Sequence, residues 1–125
     1  MTRQIASLLA AALFAMSATT IAHAADAVHG KTVFQRCAIC HRTDKDGGNG
    51  LGPNLFGVVN RKAASVAGFS YSAALKSSGL TWTTANLTKW VARPSALVPG
   101  NRMAFAGLND PAQQADVVAY LATLK

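Results

Sequence analysis

The sequence predicts an all-α domain of four or five helices joined by long loops. Apolar residues recur at helical spacing in several stretches, and a capping residue, a glycine or a proline stands at the ends of these stretches. No stretch alternates apolar and polar residues in the way that marks a β-strand. The chain has 125 residues, of which 50% are hydrophobic and 14% charged, so it has the length of one domain and is too apolar for a disordered protein.

The charge pattern and the cysteine content exclude several classes of protein. Lys and Arg outnumber Asp and Glu by 12 to 5, but they form no basic run of the kind that binds nucleic acid. Two cysteines cannot form a disulfide-dense scaffold. No stretch after residue 25 has the roughly 18 unbroken apolar residues that a membrane span needs. We therefore expect a small soluble monomer that binds no nucleic acid and meets membranes only through its partners.

Residues 1–24 are predicted to form a secretory signal peptide. Arg3 supplies a basic start, residues 5–16 are almost continuously apolar, and residues 22–24 read Ala-His-Ala, a small-x-small triplet of the kind that signal peptidase cuts. The alternative is an uncleaved anchor, because the apolar stretch extends to Ala25 if its hydroxyl residues are tolerated. The hydroxyl residues and the triplet favour cleavage, which leaves a domain of residues 25–125 and an extracytoplasmic location.

Capping residues place the helices of this domain. Asp26 is expected to cap a first helix whose apolar face repeats at i, i+3, i+4 and i+7 through Gly30, Val33, Phe34 and Cys37. A short helix is expected over residues 72–78, with Gly79 as its C-cap. Thr83 or Thr84 begins a third helix that Pro94 ends, and Asp110 followed by Pro111 begins a last helix that runs to the end of the chain.

The long loops require an explanation. Residues 42–71 are predicted to be mostly irregular, yet they carry apolar residues that need something to pack against, namely Leu51, Leu55, Phe56, Val58, Val59 and Phe69. Loops of this length are uncommon in compact domains unless they serve a function. A large, flat, apolar cofactor at the centre of the domain would give these side chains a packing surface.

One motif identifies that cofactor. Cys37-Ala38-Ile39-Cys40-His41 is C-x-x-C-H, the attachment motif of c-type haem. Two thiols at this spacing reach the two vinyl groups of one porphyrin, and the histidine that follows supplies a proximal ligand to the iron. The predicted signal peptide supports this interpretation, because c-type haem is attached outside the cytoplasm. We therefore expect one haem, bound covalently through Cys37 and Cys40, with His41 as a ligand of its iron.

Three other uses of the motif are weaker. A thioredoxin-like dithiol belongs to a βαβ pattern, which this sequence lacks. A structural zinc site needs four ligands, and His29, Cys37, Cys40 and His41 reach that number only with two adjacent residues on one helix end. A disulfide that closes so small a loop would be strained and would contribute little entropy.

The second axial ligand is predicted by elimination. His29 lies on the same helix as the motif and cannot reach the opposite face of the haem, and signal cleavage removes two of the three methionines. Met103 remains, in a loop that proline and glycine hold extended. A lone methionine between Ala104 and Arg102 and close to Phe105 is ordinarily core filler, but in a haem protein it is the soft ligand still available. Ligation by histidine and methionine suits reversible one-electron transfer and opposes the binding of oxygen or peroxide.

At this point the sequence resembles the class I cytochromes c, close to the mitochondrial type and its bacterial relatives. The resemblance covers essentially all of residues 25–125. Besides the C-x-x-C-H motif, it rests on five segments that occur in the family's order, namely residues 52–55 (GPNL), 68–71 (GFSY), 79–82 (GLTW), 99–103 (PGNRM) and 119–121 (AYL). It implies the cytochrome c fold, in which helices and long loops wrap around one covalently bound haem.

The resemblance also implies roles for single residues. The carbonyl of Pro53 is expected to accept a hydrogen bond from His41 and so fix its tautomer. Arg61, Tyr71 and Trp82 match positions that hold the haem propionates, whose burial would otherwise be costly. Further matches place Phe105 over the haem edge and the first helix against the last through Gly30, Phe34, Val117 and Tyr120.

The sequence departs from the family's pattern at several positions. Trp90 stands in place of a haem-facing tyrosine, Leu75 in place of an asparagine of a buried water network, and Asn101 in place of the usual threonine, where it keeps a donor. Ser95 and Ala96 occupy positions where mitochondrial relatives often carry lysines, which weakens a strong lysine ring. The remaining candidates for a basic face at the exposed haem edge are Lys31, Arg36, Lys89 and Arg102.

The predicted function is that of a soluble periplasmic electron carrier, not an enzyme. Its partners would be redox proteins: a donor such as a bc1-type complex or a dehydrogenase, and an acceptor such as a terminal oxidase or a reaction centre. Complementary charge would speed the encounter with an acidic partner. The alternatives are a cytochrome subunit of a dehydrogenase or oxidase complex and, from the enzyme class, a haem peroxidase or sensor with an open iron site.

Overall fold

The computed structural model describes residues 15, 17–19 and 24–125. Most of the predicted signal peptide lies outside the described residues, so its cleavage stays a prediction. Within the described part the chain forms six helical segments and no strand, with one isolated bridge between Lys62 and Thr81. The segments are α1 (Ala27–Val33), α2 (Gln35–Ala38), α3 (Ala73–Ser77), α4 (Thr84–Ala92), α5 (Pro94–Leu97) and α6 (Pro111–Leu121). The prediction of an all-α fold with long loops is confirmed.

Each of the four helices that the sequence predicts begins at a residue whose side chain caps its N-terminus. The Asp26 carboxylate accepts hydrogen bonds from the N–H groups of Val28 and His29 at 2.9 and 3.1 Å. The Ser72 and Thr83 hydroxyls each accept one such bond at 3.1 Å, at the starts of α3 and α4. Asp110 does the same for α6, at 2.9 Å. These bonds satisfy backbone donors that a helix start leaves without an intrahelical partner.

Two local features differ from the predicted helices. The first helix is divided at Phe34, whose carbonyl accepts bonds from the N–H groups of both Cys37 and Ala38, at 2.7 and 2.9 Å. The shorter bond spans three residues and tightens the helix just before the haem-attachment motif. The second feature is α5, which begins at Pro94, with one residue between it and the Ala92 end of α4. A four-residue helix has too few positions for apolar periodicity, so the sequence pattern does not reveal it.

The first and last helices cross at Gly30. A β-carbon on Gly30 would overlap the backbone carbonyl oxygen of Asp116 and would lie 3.0 Å from the Tyr120 Cβ. The rings of Phe34 and Tyr120 pack beside this point with centroids 5.1 Å apart. The close approach explains a glycine inside a helix. The buried cluster around the crossing and the central cavity comprises Val33, Phe34, Val58, Trp82, Leu87, Val91, Leu108, Val117, Val118 and Leu121.

No helix in the described part of the chain is both long and apolar enough to cross a membrane.

Candidate haem-binding site

A cavity of about 620 Å³ lies between the helices and the long loops. Its volume is within the range of about 300–1,000 Å³ that is usual for cofactor and ligand pockets. The residues around it are mostly apolar, and they include the loop residues Leu51, Leu55, Val58 and Phe69 that had no packing partner in the sequence. All eight predicted site residues line this one cavity: Cys37, Cys40, His41, Pro53, Arg61, Tyr71, Trp82 and Met103.

The turn after α2 directs the motif to the cavity. The N–H groups of Cys40 and His41 both donate to the carbonyl of Cys37, at 3.1 and 2.9 Å, and this turn holds both cysteines and the imidazole at the cavity wall. The two cysteines are partly buried free thiols. Burial raises the pKa of the Cys37 thiol, an effect that Arg36 opposes and Cys40 reinforces. Neighbouring thiols on one wall are the arrangement that attachment to a single porphyrin requires.

His41 is held at the cavity wall by a hydrogen bond to the backbone. Its Nδ1–H donates to the carbonyl of Pro53 at 2.8 Å, as the family resemblance implies, and this leaves the lone pair on Nε2. Burial lowers the pKa of the His41 imidazole, while the hydrogen bond to Pro53 opposes that shift. A neutral imidazole with one nitrogen engaged by a carbonyl is the form in which histidine usually binds a metal.

Gly52 shapes the space around this imidazole. A β-carbon on Gly52 would lie 2.5 Å from His41 Cε1, 2.8 Å from Nδ1 and 3.0 Å from Nε2, all well inside van der Waals contact. The Gly52 N–H donates to the carbonyl of Cys40 at 2.9 Å, so the glycine is tied to the motif that it supports. The backbone therefore forms a close-fitting cradle for the ring, and only glycine fits it.

Three predicted polar residues lie elsewhere on the wall. Arg61 donates to the carbonyls of Phe56 and Asn54, at 2.9 and 3.0 Å. Burial lowers the pKa of the Arg61 guanidinium, and Tyr71 opposes this shift. The Tyr71 hydroxyl accepts a bond from the Val66 N–H at 3.1 Å. Trp82 is buried and packs against Trp90 with ring centroids 5.0 Å apart, so the tryptophan that departs from the family's pattern also lines the cavity.

Met103 enters the wall from the loop after α5. Its N–H donates to the side-chain oxygen of Asn101 at 2.9 Å, and Phe105 lies beside it on the cavity wall. Arg102 ties the loop to the carbonyl of Ser70 at 3.0 Å. Gly100 has φ +85°, a conformation that favours glycine and lets the chain turn toward the cavity. The thioether is therefore held at the same cavity as the motif, although it comes from the opposite half of the chain.

The cavity mouth is basic. Arg36, Lys62 and Arg102 are exposed residues that line it, and no acidic residue is among the described residues that do. Lys31 and Lys89 are exposed but do not line the cavity, so the structure brings only two of the four basic candidates to its mouth. Lys62 was missed, although its position next to Arg61 was a signal in the sequence.

Sequence reasoning also missed Asp116. Only 1% of this residue is exposed. Its two carboxylate oxygens accept bonds from the Asp26 N–H at 2.8 Å and from His29 Nδ1 at 2.6 Å, across the crossing of α1 and α6. His29 is thus engaged at the helix crossing rather than at the cavity. The available signal was a single carboxylate within an otherwise uncharged terminal helix.

The fold and the site together define a c-type haem protein: a helical domain whose cavity gathers two thiols, a neutral imidazole and a thioether within apolar walls. The volume, the donor set and the cradle at Gly52 all fit the group that the motif attaches. The family model described as "Cytochrome c" matches residues 27–125. The chain belongs to the cytochrome c family.

Individual relatives agree with this assignment. The chain is 49% identical over 100 residues to "Cytochrome c2" of Rhodomicrobium vannielii, covering 80% of each protein. It is 50% identical over 91 residues to "Cytochrome c2 iso-2" of Magnetospirillum fulvum, covering 73% of this chain and 94% of that protein. Among solved structures it is similar to cytochrome cH from Methylobacterium extorquens, with a TM-score of 0.74, 45% identity, and coverage of 78% of this chain and 98% of that one.

Family membership settles the general function. The chain is an electron carrier with a covalently bound c-type haem, and it exchanges electrons with redox partners. The predictions of a class I cytochrome c, of its fold and of its cofactor are confirmed.

Proposed function

We propose that the chain is a freely diffusing periplasmic carrier that takes one electron at a time from a bc1-type complex or a dehydrogenase and delivers it to a terminal oxidase or a reaction centre. The observation that carries this proposal is the single cavity lined by Cys37, Cys40, His41 and Met103. When bound there, a c-type haem supplies a reversible one-electron couple at its iron. The chain itself contributes attachment, ligation, insulation from water and a docking surface.

Each polar group of the cavity has a proposed task. Cys37 and Cys40 would form the two thioether links to the haem, and His41 Nε2 and the Met103 sulfur would ligate its iron. The carbonyl of Pro53 keeps His41 in the required tautomer, for which the 2.8 Å hydrogen bond is the support. The propionates would be held by hydrogen bonds from Arg61, Tyr71 and Trp82, all of which line the cavity.

The axial ligand set argues against an enzyme. A peroxidase or sensor needs an open coordination position, whereas Met103 is tied at the cavity through its backbone. If His41 and Met103 both ligate the iron, oxygen and peroxide would find no open coordination position to bind. We therefore propose that the chain performs no bond chemistry of its own. A stable subunit of a larger redox complex would share this chemistry, and the basic cavity mouth favours transient docking instead.

The basic mouth favours an acidic partner surface. Arg36, Lys62 and Arg102 are exposed residues of the cavity lining, and no acidic residue is among the described residues of that lining. Opposite charge on the partner would raise the association rate, and added salt would lower it by screening. Transport across the inner membrane by residues 1–24, with cleavage after Ala24, would deliver the domain to the periplasm.

One preparation of the protein, made in a bacterium that attaches c-type haem, tests the proposal. We expect the intact mass of residues 25–125 plus one haem, and a ferric absorption spectrum with the weak far-red band of thioether ligation. Met103→Ala should abolish that band and allow azide to bind the ferric iron, whereas Cys37→Ala should reduce covalent haem recovery. A native molecular mass above that of one chain would favour the complex subunit. A wild-type spectrum without the far-red band would refute Met103 as a ligand.

A further inference from the structure

The loop that carries Met103 is closed on itself by one side chain. Asn101 Nδ2 donates to the carbonyl of Val98 at 2.9 Å, and Asn101 Oδ1 accepts from the N–H of Met103 at 2.9 Å. The Asn101 N–H also donates to the Val98 carbonyl, at 3.2 Å. A single carboxamide thus brackets residues 98–103, with one end on the residue before the loop and the other on the backbone of Met103.

The start of this bracket is anchored in the fold. Val98 is 5% exposed, and its N–H donates to the carbonyl of Pro94 at 3.0 Å, which closes α5. A continuous chain of hydrogen bonds therefore runs from α5 through Val98 and the Asn101 carboxamide to Met103. This gives the short helix α5 a function in the site, because it supplies the fixed end of the bracket.

The bracket uses both halves of the amide. The carbonyl of Val98 can only accept a hydrogen bond and the N–H of Met103 can only donate one, so only a side chain that offers a donor and an acceptor side by side satisfies both. The asparagine carboxamide offers its donor and its acceptor on two separate atoms, whereas the hydroxyl of a threonine offers both on one oxygen. The expectation that Asn101 merely keeps the donor of the family's usual threonine is therefore incomplete.

We propose that Asn101 is a positioning residue that keeps the Met103 thioether at the cavity by bracketing the loop between Val98 and Met103. The proposal rests on the proposed role of Met103 as an axial ligand. Without the bracket, Met103 leaves its position more often, and a small ligand can take that position in the interval. The apparent affinity for such a ligand rises in proportion to the population of the open loop.

Imidazole titration of the ferric, haem-loaded protein measures that population. We expect Asn101→Ala to bind imidazole about tenfold more tightly than the wild type, which corresponds to about 1.4 kcal/mol, and to lose the far-red band at proportionally lower imidazole concentrations. Asn101→Ser should be intermediate, because a serine oxygen can accept from the N–H two residues on. Asn109→Ala is the matched control: Asn109 is exposed and no hydrogen bond of its side chain is found in the described residues, so its imidazole affinity should not change.

The outcomes separate this proposal from the one on which it rests. A wild-type ferric protein that lacks the far-red band shows that Met103 is not a ligand, and the proposed function then fails. If the wild type has the band and Asn101→Ala binds imidazole within twofold of it, only the bracket is refuted, even if thermal unfolding shifts. Should Asn101→Ala yield no folded haem protein, Asn101→Ser decides: an affinity at least twofold above the wild type supports the bracket, and an unchanged affinity refutes it.

Discussion

Replacing Gly30 by alanine tests the close helix crossing on which the domain depends. The new methyl group would overlap the Asp116 carbonyl oxygen, would lie 2.5 Å from its carbon, and would also press on the Tyr120 Cβ at 3.0 Å. The first two of these atoms belong to the backbone of α6 and cannot rotate away. The two helices must therefore move apart, and the hydrogen bonds from the α1 end to Asp116 stretch with them.

The expected loss of stability follows from two opposing effects. Adding a methyl group to a tightly packed contact costs about 1–3 kcal/mol, and a backbone neighbour places this contact at the upper end of that range. Alanine returns roughly 1 kcal/mol through its better helix propensity. We expect a net loss of about 2 kcal/mol in the free energy of unfolding, which for a domain of this size lowers Tm by about 8–15 °C.

Guanidinium unfolding of the haem-loaded protein, followed by far-ultraviolet circular dichroism, measures this loss. Thr32→Ala is the control, because Thr32 lies on the exposed side of the same helix and alanine there gains propensity without meeting α6. The control should be neutral or slightly stabilising. If Gly30→Ala is as stable as the wild type, the two helices are not in backbone contact in solution and the reasoning is wrong.

Two further predictions concern the site. Gly52→Ala places a methyl group 2.5 Å from His41 Cε1, so we expect the imidazole to be displaced. Less covalent haem should then be recovered, and the absorption spectrum should change. A normal spectrum and a normal haem yield would show that the backbone around the ring adapts. Arg36→Gln removes a charge at the cavity mouth, and Lys31→Gln removes one from an exposed position outside it. At low ionic strength, we expect reduction by a purified bc1-type complex to slow about two- to fivefold for Arg36→Gln and little for Lys31→Gln. The difference between the two variants should disappear in high salt. If both variants slow equally, the overall charge of the protein, rather than the charge at the cavity mouth, sets the rate.

The local parts of the fold were predictable from neighbouring residues. The starts of α1, α4 and α6 depend on a side chain that bonds a backbone N–H two or three positions away, so the cap and the helix appear together in the sequence. The C-x-x-C-H motif is local in the same sense, because both thiols and the imidazole sit on one turn. The glycine inside α1 is a local signal as well, since its cost in a helix calls for a compensation such as a close backbone contact.

The residues of α6 that meet α1 at the helix crossing were not predictable without the family resemblance, because they are distant from α1 in sequence. Asp116 is the clearest case. A carboxylate in a terminal helix is usually exposed, and only the packing of α6 on α1 buries it against the Asp26 N–H and the His29 ring. The short helix α5 is a second case, since a segment of four residues that begins at Pro94 is too short to show periodicity.

The sequence by itself determined the chemistry: one attachment motif, one histidine beside it and one methionine after the predicted signal leave few choices for the cofactor and its ligands. Only the tertiary structure decided how these groups are held. The Pro53 carbonyl on His41, the Gly52 cradle and the Asn101 bracket on Met103 are contacts between a side chain and a backbone group whose position depends on the path of a whole loop. Residue types limit which atoms can bond, whereas loop paths, which no local pattern encodes, decide which of those atoms meet.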